Sequence, residues 1–287
     1  DSGTAAEMTA LVTGGARRLG KAMALYLARR GHDIAVHYHA SASDAEATAA
    51  EIRALGVRAE ILHADLLDIE ATESLVPRAV AALGPLSVLV NNASIFEHDT
   101  IATATRDSWD RHLGSNLRAP FILSQAFAAQ AAPADMSGGE AVATGLIVNM
   151  VDQRVLKPTP EFITYSIAKA GLWEMTRMLA QALAPAIRVN AIGPGPTLQG
   201  ARQAADQFAQ QRAATILERG ADPEDVAATL TYLMAAKAVT GQLICVDGGQ
   251  HLGWRTPDIQ VVEWPPQGPS AGRNGSLSTF LGAFLIR

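Results

Sequence analysis

The chain has 287 residues, 48% hydrophobic and 18% charged, with a formal net charge of −5. That is enough to build one α/β domain with a sizeable core, and two independent domains are not expected. Lys and Arg are scattered, which excludes a basic stripe for nucleic acid or a polybasic membrane patch and leaves small molecules as the expected partners.

Short apolar runs alternate with helical patterns from the start. Strands are expected near 9–13, 33–39, 57–63 and 87–91, with helices at 19–30, 42–55 and 69–83 between them. A long helical pattern follows over 106–131, then a glycine-rich connection around Ser137-Gly138-Gly139. A strand near 144–151 leads to a helix at 162–184, which Pro185 closes. A strand at 187–191 runs into Gly193-Pro194-Gly195-Pro196 and a Gln- and Ala-rich segment to about 220, which could be helical but by its place suits a lid over a ligand. A helix at 222–236 and a strand at 242–246 complete seven strands. Strand-helix alternation at this spacing predicts a doubly wound parallel sheet of Rossmann type with helices on both faces.

Residues 1–253 are thus expected to form one domain. From Trp254 the composition shifts to prolines and glycines and ends in an apolar run, Phe280 to Ile286, that is costly to leave in water. This extension reads either as a segment that docks on a neighbouring subunit or, from its prolines and glycines, as a disordered tail. Asp1 to Glu7 has no basic or apolar leader character and no run of about 18 apolar residues occurs, which leads us to expect a cytoplasmic protein. Cys245 is the sole cysteine and sits in an apolar run, so it reads as a packed side chain.

The first strand runs into Thr13-Gly14-Gly15-Ala16-Arg17-Arg18-Leu19-Gly20 and then a helix. Gly14 and Gly20 permit a tight turn, and the helix N-terminus offers N–H groups to a pyrophosphate. Arg18 stands where the middle glycine of such a turn is usual and adds a cation beside the phosphates. Strand two ends in Val36-His37-Tyr38-His39-Ala40-Ser41 with no carboxylate before Asp44. With Arg18, His39 and Ser41 as donors, that ending favours a 2′-phosphate and hence NADP(H). His37 reads as strand packing; for His39 packing and phosphate contact stand level. Asp65, beside Leu66 at the end of strand three, suits either the adenine amino group or the cap of the next turn. Asn92, Ala93 and Ser94 end strand four where a dinucleotide would cross the sheet. No metal site is expected.

Tyr165 and Lys169 stand four apart on a predicted helix and share a face. Lys169 and an oxidised nicotinamide would both lower the tyrosine pKa toward the range of a working acid or base. The glycine turn, Asn92-Ala93, Asn116, the Tyr/Lys pair and Pro194-Gly195 occur in one order. That order resembles the short-chain dehydrogenase/reductase family over residues 8–253. Within it the chain is most similar to the pteridine and dihydromonapterin reductases, through Thr13 to Gly20, His37 to Ser41, Asn92-Ala93-Ser94-x-Phe96, Asn149 to Asp152 and Tyr165 to Lys169.

The resemblance implies Tyr165 as proton donor, Lys169 on the nicotinamide ribose, Asn116 in a proton relay through water, and cofactor contacts at Gly14, Leu19, Gly20, Leu66, Pro194 and Gly195. It further implies Phe96 stacked on a pterin, Ser94 and Arg18 touching both cofactor phosphate and substrate, and a homotetramer. Asp152 stands thirteen residues before Tyr165, where most such enzymes carry serine. A carboxyl there engages ring nitrogens as a hydroxyl would not, so the expected substrate is a dihydropterin or related C=N heterocycle. Ala40 replaces an arginine often found beside the 2′-phosphate. Two bland readings stay open: Phe96 as a strand cap and Asp152 as a turn cap. A carbonyl reductase with another substrate, or a non-catalytic NADP-binding sensor, are the alternatives.

Overall fold

The computed structural model describes residues 8–199, 204–254 and 256. Seven strands form one parallel sheet: β1 (Thr9–Val12), β2 (Asp33–Tyr38), β3 (Ala59–His63), β4 (Val88–Asn91), β5 (Gly145–Met150), β6 (Ile187–Pro194) and β7 (Leu243–Val246). Their order is β3-β2-β1-β4-β5-β6-β7, so the direction of winding reverses between β1 and β4. In open α/β sheets a ligand sits in the crevice at that reversal, beyond the carboxyl ends of the strands.

The pleat sends alternate residues to opposite faces, and both faces are apolar. Ala10, Val12, Val88 and Val90 pack on one side against Met23 and Leu27 of α1 (Arg18–Ala28) and Leu230 of α8 (Pro223–Ala235). Leu11, Leu89 and Ile147 pack on the other, against Leu75 of α3 (Ile69–Leu83) and Leu123 and Phe127 of α5 (Ala119–Gln130). Two covered faces explain why the strands read as near-continuous apolar runs. Helices α2 (Ala42–Ala54), α4 (Arg106–Leu113), α6 (Ile163–Ala182) and α7 (Ala205–Ala213) complete the set. The described residues up to Gly253 form one compact unit. The expected docking of residues 254–287 falls outside the described residues, apart from Trp254 and Thr256.

One element departs from expectation. The pattern over 106–131 is not one α-helix but α4 and α5 joined by a π-helical turn, Gly114–Arg118, in which the Ala119 N–H reaches back to the Gly114 carbonyl. Asn116 supplies the cause: its Nδ2 donates to the Ile95 carbonyl at 2.8 Å and its Oδ1 accepts the Ile95 N–H at 2.9 Å. A side chain clasped to the loop after β4 holds the widened turn in place, a common feature of functional sites. The segment after Pro196, read as a lid that could be helical, carries the short helix α7.

Candidate active site

The glycine turn is held by contacts from three strands. Gly14 has φ +61°, the left-handed region that favours glycine. Its N–H donates to His37 Nδ1 at 3.0 Å, and His37 Nε2 lies 3.1 Å from the Ala64 carbonyl. The ring therefore carries its proton on Nε2 and ties the turn to the ends of β2 and β3. His37 is more than strand packing, a role the sequence reading missed because both partners are distant in sequence. Thr13 does the same across the winding reversal: its Oγ1 accepts the N–H groups of Asn92 and Ala93 at 2.8 and 2.9 Å. Asn92 Nδ2 returns a bond to the Thr13 carbonyl at 2.8 Å.

Burial pulls the His37 pKa down to about 4 from 6.5, against the pull of its bond to Ala64. The unfolded chain thus binds a proton that the folded chain does not between those values. Stability is full above pH 6.5 and falls as pH drops through this window toward 4, by up to about 3 kcal/mol from this residue at about 1.4 kcal/mol per unit. Burial also lowers the pKa of His32 and His112, which adds to the same slope. Urea unfolding at about pH 7 and about pH 4.5 is expected to show the loss. His37→Gln, which keeps a donor and an acceptor without a titrating ring, is expected to flatten it. An unaltered slope in that variant would show that His37 is not the group responsible.

The turn and its surroundings fit a dinucleotide. The N-terminus of α1 has no side-chain cap and no acidic residue in its first turn, so its N–H groups remain for an anion. At the end of β2, His39 is exposed, and Ser41 stands at the N-cap of α2 without spending its hydroxyl on the helix. Asp44, the first carboxylate after β2, is paired with Arg17 at 3.6 Å. Asp65 uses Oδ1 on the Leu67 N–H at 2.9 Å, which is the turn-capping reading, while the neighbouring Leu66 is buried. Leu19 packs at the edge of the core. Gly195 abuts Asp247, where a Cβ would lie 2.5 Å from the Asp247 Cβ, and its neighbour Pro194 ends β6.

Arg18 takes a left-handed φ of 54°. Its guanidinium donates to the carbonyls of Leu198 and Gln199 at 3.3 and 3.0 Å, bridging the glycine turn to the segment after β6. Ser94 is exposed on the loop after β4.

Tyr165, 6% exposed, donates its hydroxyl to Asp152 Oδ2 at 2.9 Å. Asp152 Oδ1 accepts the Arg154 N–H at 2.8 Å and so caps the short 3₁₀ turn Gln153–Val155. The turn-cap and active-site readings of Asp152 thus both describe the carboxylate, one for each oxygen. Burial, the Asp152 charge and its hydrogen bond push the tyrosine pKa well above 10, whereas the expected lowering rested on Lys169 together with a bound oxidised nicotinamide. The reason is that the group in hydrogen-bond contact with the hydroxyl is an anion. Lys169 is buried, donates Nζ to the Met150 carbonyl at 2.7 Å and lies 5.7 Å from the Tyr165 ring centroid. Burial, partly offset by Asp152, lowers its pKa to about 8. Asn116 is buried, with its amide spent on Ile95 as described, so its side chain positions the loop after β4.

Phe96 is 53% exposed, stacked on Phe162 at 4.4 Å between centroids and edge-on to Tyr165 at 4.7 Å. Phe162 has φ +57°, a strained conformation for an aromatic residue. Asp99 holds it there, for its carbonyl accepts the Phe162 N–H at 2.8 Å and its Oδ1 accepts the Thr164 N–H at 3.2 Å. His112 continues this buried chain: Nε2 accepts the Glu97 N–H at 3.1 Å, which leaves Nδ1–H to donate to Thr164 Oγ1 at 2.7 Å, and that hydroxyl donates to Asp99. The Asp99-Thr164-His112 chain fixes the start of the helix that carries Tyr165. Nothing local in the sequence marked it. Burial first, then the Asp247 and Asp152 charges, pushes the Cys245 thiol up to about 12, consistent with packing and not with a nucleophile.

Residues 14–251 match the family model described as enoyl-(acyl carrier protein) reductase. The chain belongs to the short-chain dehydrogenase/reductase family. It is 32% identical over 249 residues to the 3-oxoacyl-[acyl-carrier-protein] reductase of Staphylococcus aureus, covering 85% of this chain and 98% of that one. Among solved structures, alternative dihydrofolate reductase 1 (FolM) of Brucella canis, complexed with NADP, superposes with a TM-score of 0.82 at 42% identity, covering 88% of this chain and 98% of that one. A short-chain dehydrogenase of Burkholderia cenocepacia, also in complex with NADP, gives 0.76 at 34% identity over 85% and 97% of the two chains. Short-chain dehydrogenase/reductases are NAD(P)H-dependent oxidoreductases acting on small molecules. Among the described residues no helix is long and apolar enough to cross a membrane, and no group of three or more His, Cys, Asp or Glu could hold a metal ion.

Proposed function

We propose that the protein is an NADPH-dependent reductase of dihydropterins or related C=N heterocycles. The observation that carries this is the Tyr165 hydroxyl bonded to a carboxylate, Asp152, beside the half-exposed ring of Phe96. A carboxylate only accepts hydrogen bonds, so it suits the N–H groups of a heterocycle and repels a lone carbonyl oxygen. An exposed aromatic face suits a flat ring. The Brucella neighbour, named as a dihydrofolate reductase, agrees with this reading. The Staphylococcus relative favours a carbonyl reductase instead, and the Asp152 carboxylate argues against it.

Bound NADPH supplies the hydride that reduces the substrate carbon. The protein's own part is to hold and deliver the proton that the ring nitrogen takes up. Tyr165 keeps its proton because burial and Asp152 disfavour tyrosinate, so it rests as an acid, the form that a reduction consumes. Lys169, with a pKa of about 8, is mainly a cation at neutral pH and stabilises the tyrosinate left behind. Above that pH the cation is lost, and with it this support.

The α1 N-terminus, Gly14 and Gly20 would receive the pyrophosphate, and Arg17, Arg18, His39 and Ser41 the ribose phosphate region. With no free carboxylate at the end of β2 to repel a 2′-phosphate, kcat/KM is expected to be higher with NADPH than with NADH. Ala40 supplies no cation, so the preference is modest; equal or better turnover with NADH would overturn it. The substrate class is tested by following NADPH oxidation with dihydrobiopterin, dihydrofolate and a 3-oxoacyl thioester in parallel. Turnover of the heterocycles above the thioester is expected; the reverse order would establish the carbonyl reading.

The same proposal includes a cytoplasmic homotetramer. Trp109 and Phe121 on α4 and α5, and Met178 on α6, are more than two-fifths exposed. A cavity of about 770 Å³ lined by Leu67, Trp109, Leu117, Phe121 and Met175 opens on α4 and α5, apart from Tyr165 and Asp152. Such apolar surface is commonly covered by a second copy.

A further inference from the structure

Arg154 follows Asp152 by two residues, and its main-chain N–H is already committed to the Asp152 carboxylate. Its guanidinium carbon lies 4.8 Å from the Phe162 ring centroid and 5.6 Å from that of Phe96, beside the aromatic pair on which a flat substrate would stack. Yet its Nη1 is removed from water with no hydrogen-bond partner. A guanidinium N–H buried without an acceptor is costly, and folded proteins rarely leave one so unless a ligand or water completes it. Asp152 does not serve: its oxygens accept from the Arg154 main-chain N–H and the Tyr165 hydroxyl, and Nη1 reaches neither of them.

We propose that Arg154 recognises an anionic substituent on the substrate, so that the preferred heterocycle carries a carboxylate-bearing side chain in place of a neutral one. This rests on the heterocycle-reductase reading above. The planar fork of a guanidinium matches the two oxygens of a carboxylate, a geometry a lysine cannot reproduce. Stacking against Phe162 fixes the fork's orientation before the ligand arrives, which reduces the ordering cost of binding. Asp152 and Tyr165 would read the ring, and Arg154 what the ring carries.

Calorimetric titration of the NADP⁺-loaded protein separates these roles, because oxidised pterins bind there without turnover. The probes are folate, which carries two carboxylates on its side chain, and biopterin, which carries none. The parent protein is expected to bind folate more tightly than biopterin. Arg154→Met is expected to weaken folate about tenfold, the scale of one charged hydrogen bond, and biopterin by less than about twofold. Arg154→Lys, which keeps the charge without the fork, is expected to fall between. Equal effects on both ligands, or none on folate, would overturn the assignment while leaving the reductase reading intact. Failure of the parent protein to bind either pterin would overturn both.

Discussion

Tyr165→Phe is expected to lower dihydropterin turnover by roughly 10²- to 10⁴-fold, the range for loss of a positioned general acid, while NADPH affinity changes little. The variant removes one oxygen from a buried ring and leaves its packing against Phe96 and His112 in place. It also leaves the Asp152 carboxylate with Oδ1 still capping the 3₁₀ turn, so the local fold survives. The loss should fall on kcat, because the hydroxyl acts when the proton moves and contributes little to holding the ring. Single-turnover measurement with prebound NADPH isolates that step, and near-normal rates would place the proton source elsewhere.

Gly20→Ala is expected to abolish cofactor binding and to destabilise the fold by more than about 4 kcal/mol, the range of severe packing errors. A Cβ at Gly20 would lie 2.0 Å from the Gly14 carbonyl oxygen and 2.6 Å from Asn92 Nδ2. Neither neighbour can yield cheaply: Gly14 is main chain fixed by His37, and the Asn92 amide bonds the Thr13 carbonyl. Relief requires α1 to move away from the turn, which dismantles the N-terminus that faces the phosphates. Urea unfolding and NADPH titration of the variant check both parts. A variant with parental stability and affinity would contradict the close approach that the turn depends on.

The seven strands and most helices were legible because their signals are local, an apolar run or a 3.6-residue period between turn residues. The Tyr165 and Lys169 pair and the glycine turn were legible for the same reason. What escaped depends on contacts between residues far apart in the chain. Asn116 splits the 106–131 helix by reaching back to Ile95, and no periodicity in the helix records that bond. His37 looks like any strand residue until the Gly14 N–H and the Ala64 carbonyl are brought to its two nitrogens. Phe162 gave no sign of a left-handed conformation, which Asp99 imposes from a different loop. The pair of Tyr165 and Lys169 is likewise legible, but not that Asp152 touches the hydroxyl and raises its pKa.

Asp152→Ser is the variant that decides whether the Asp152 carboxyl makes this a site for nitrogen heterocycles. Serine can still cap the 3₁₀ turn through its hydroxyl, so the turn is preserved while the carboxyl is lost. Steady-state kcat/KM is measured for a dihydropterin and for a simple ketone, in the parent protein and the variant. A loss of about 10²-fold on the dihydropterin is expected, with ketone turnover unchanged or raised. A proportionate loss on both substrates, or none on either, would contradict it.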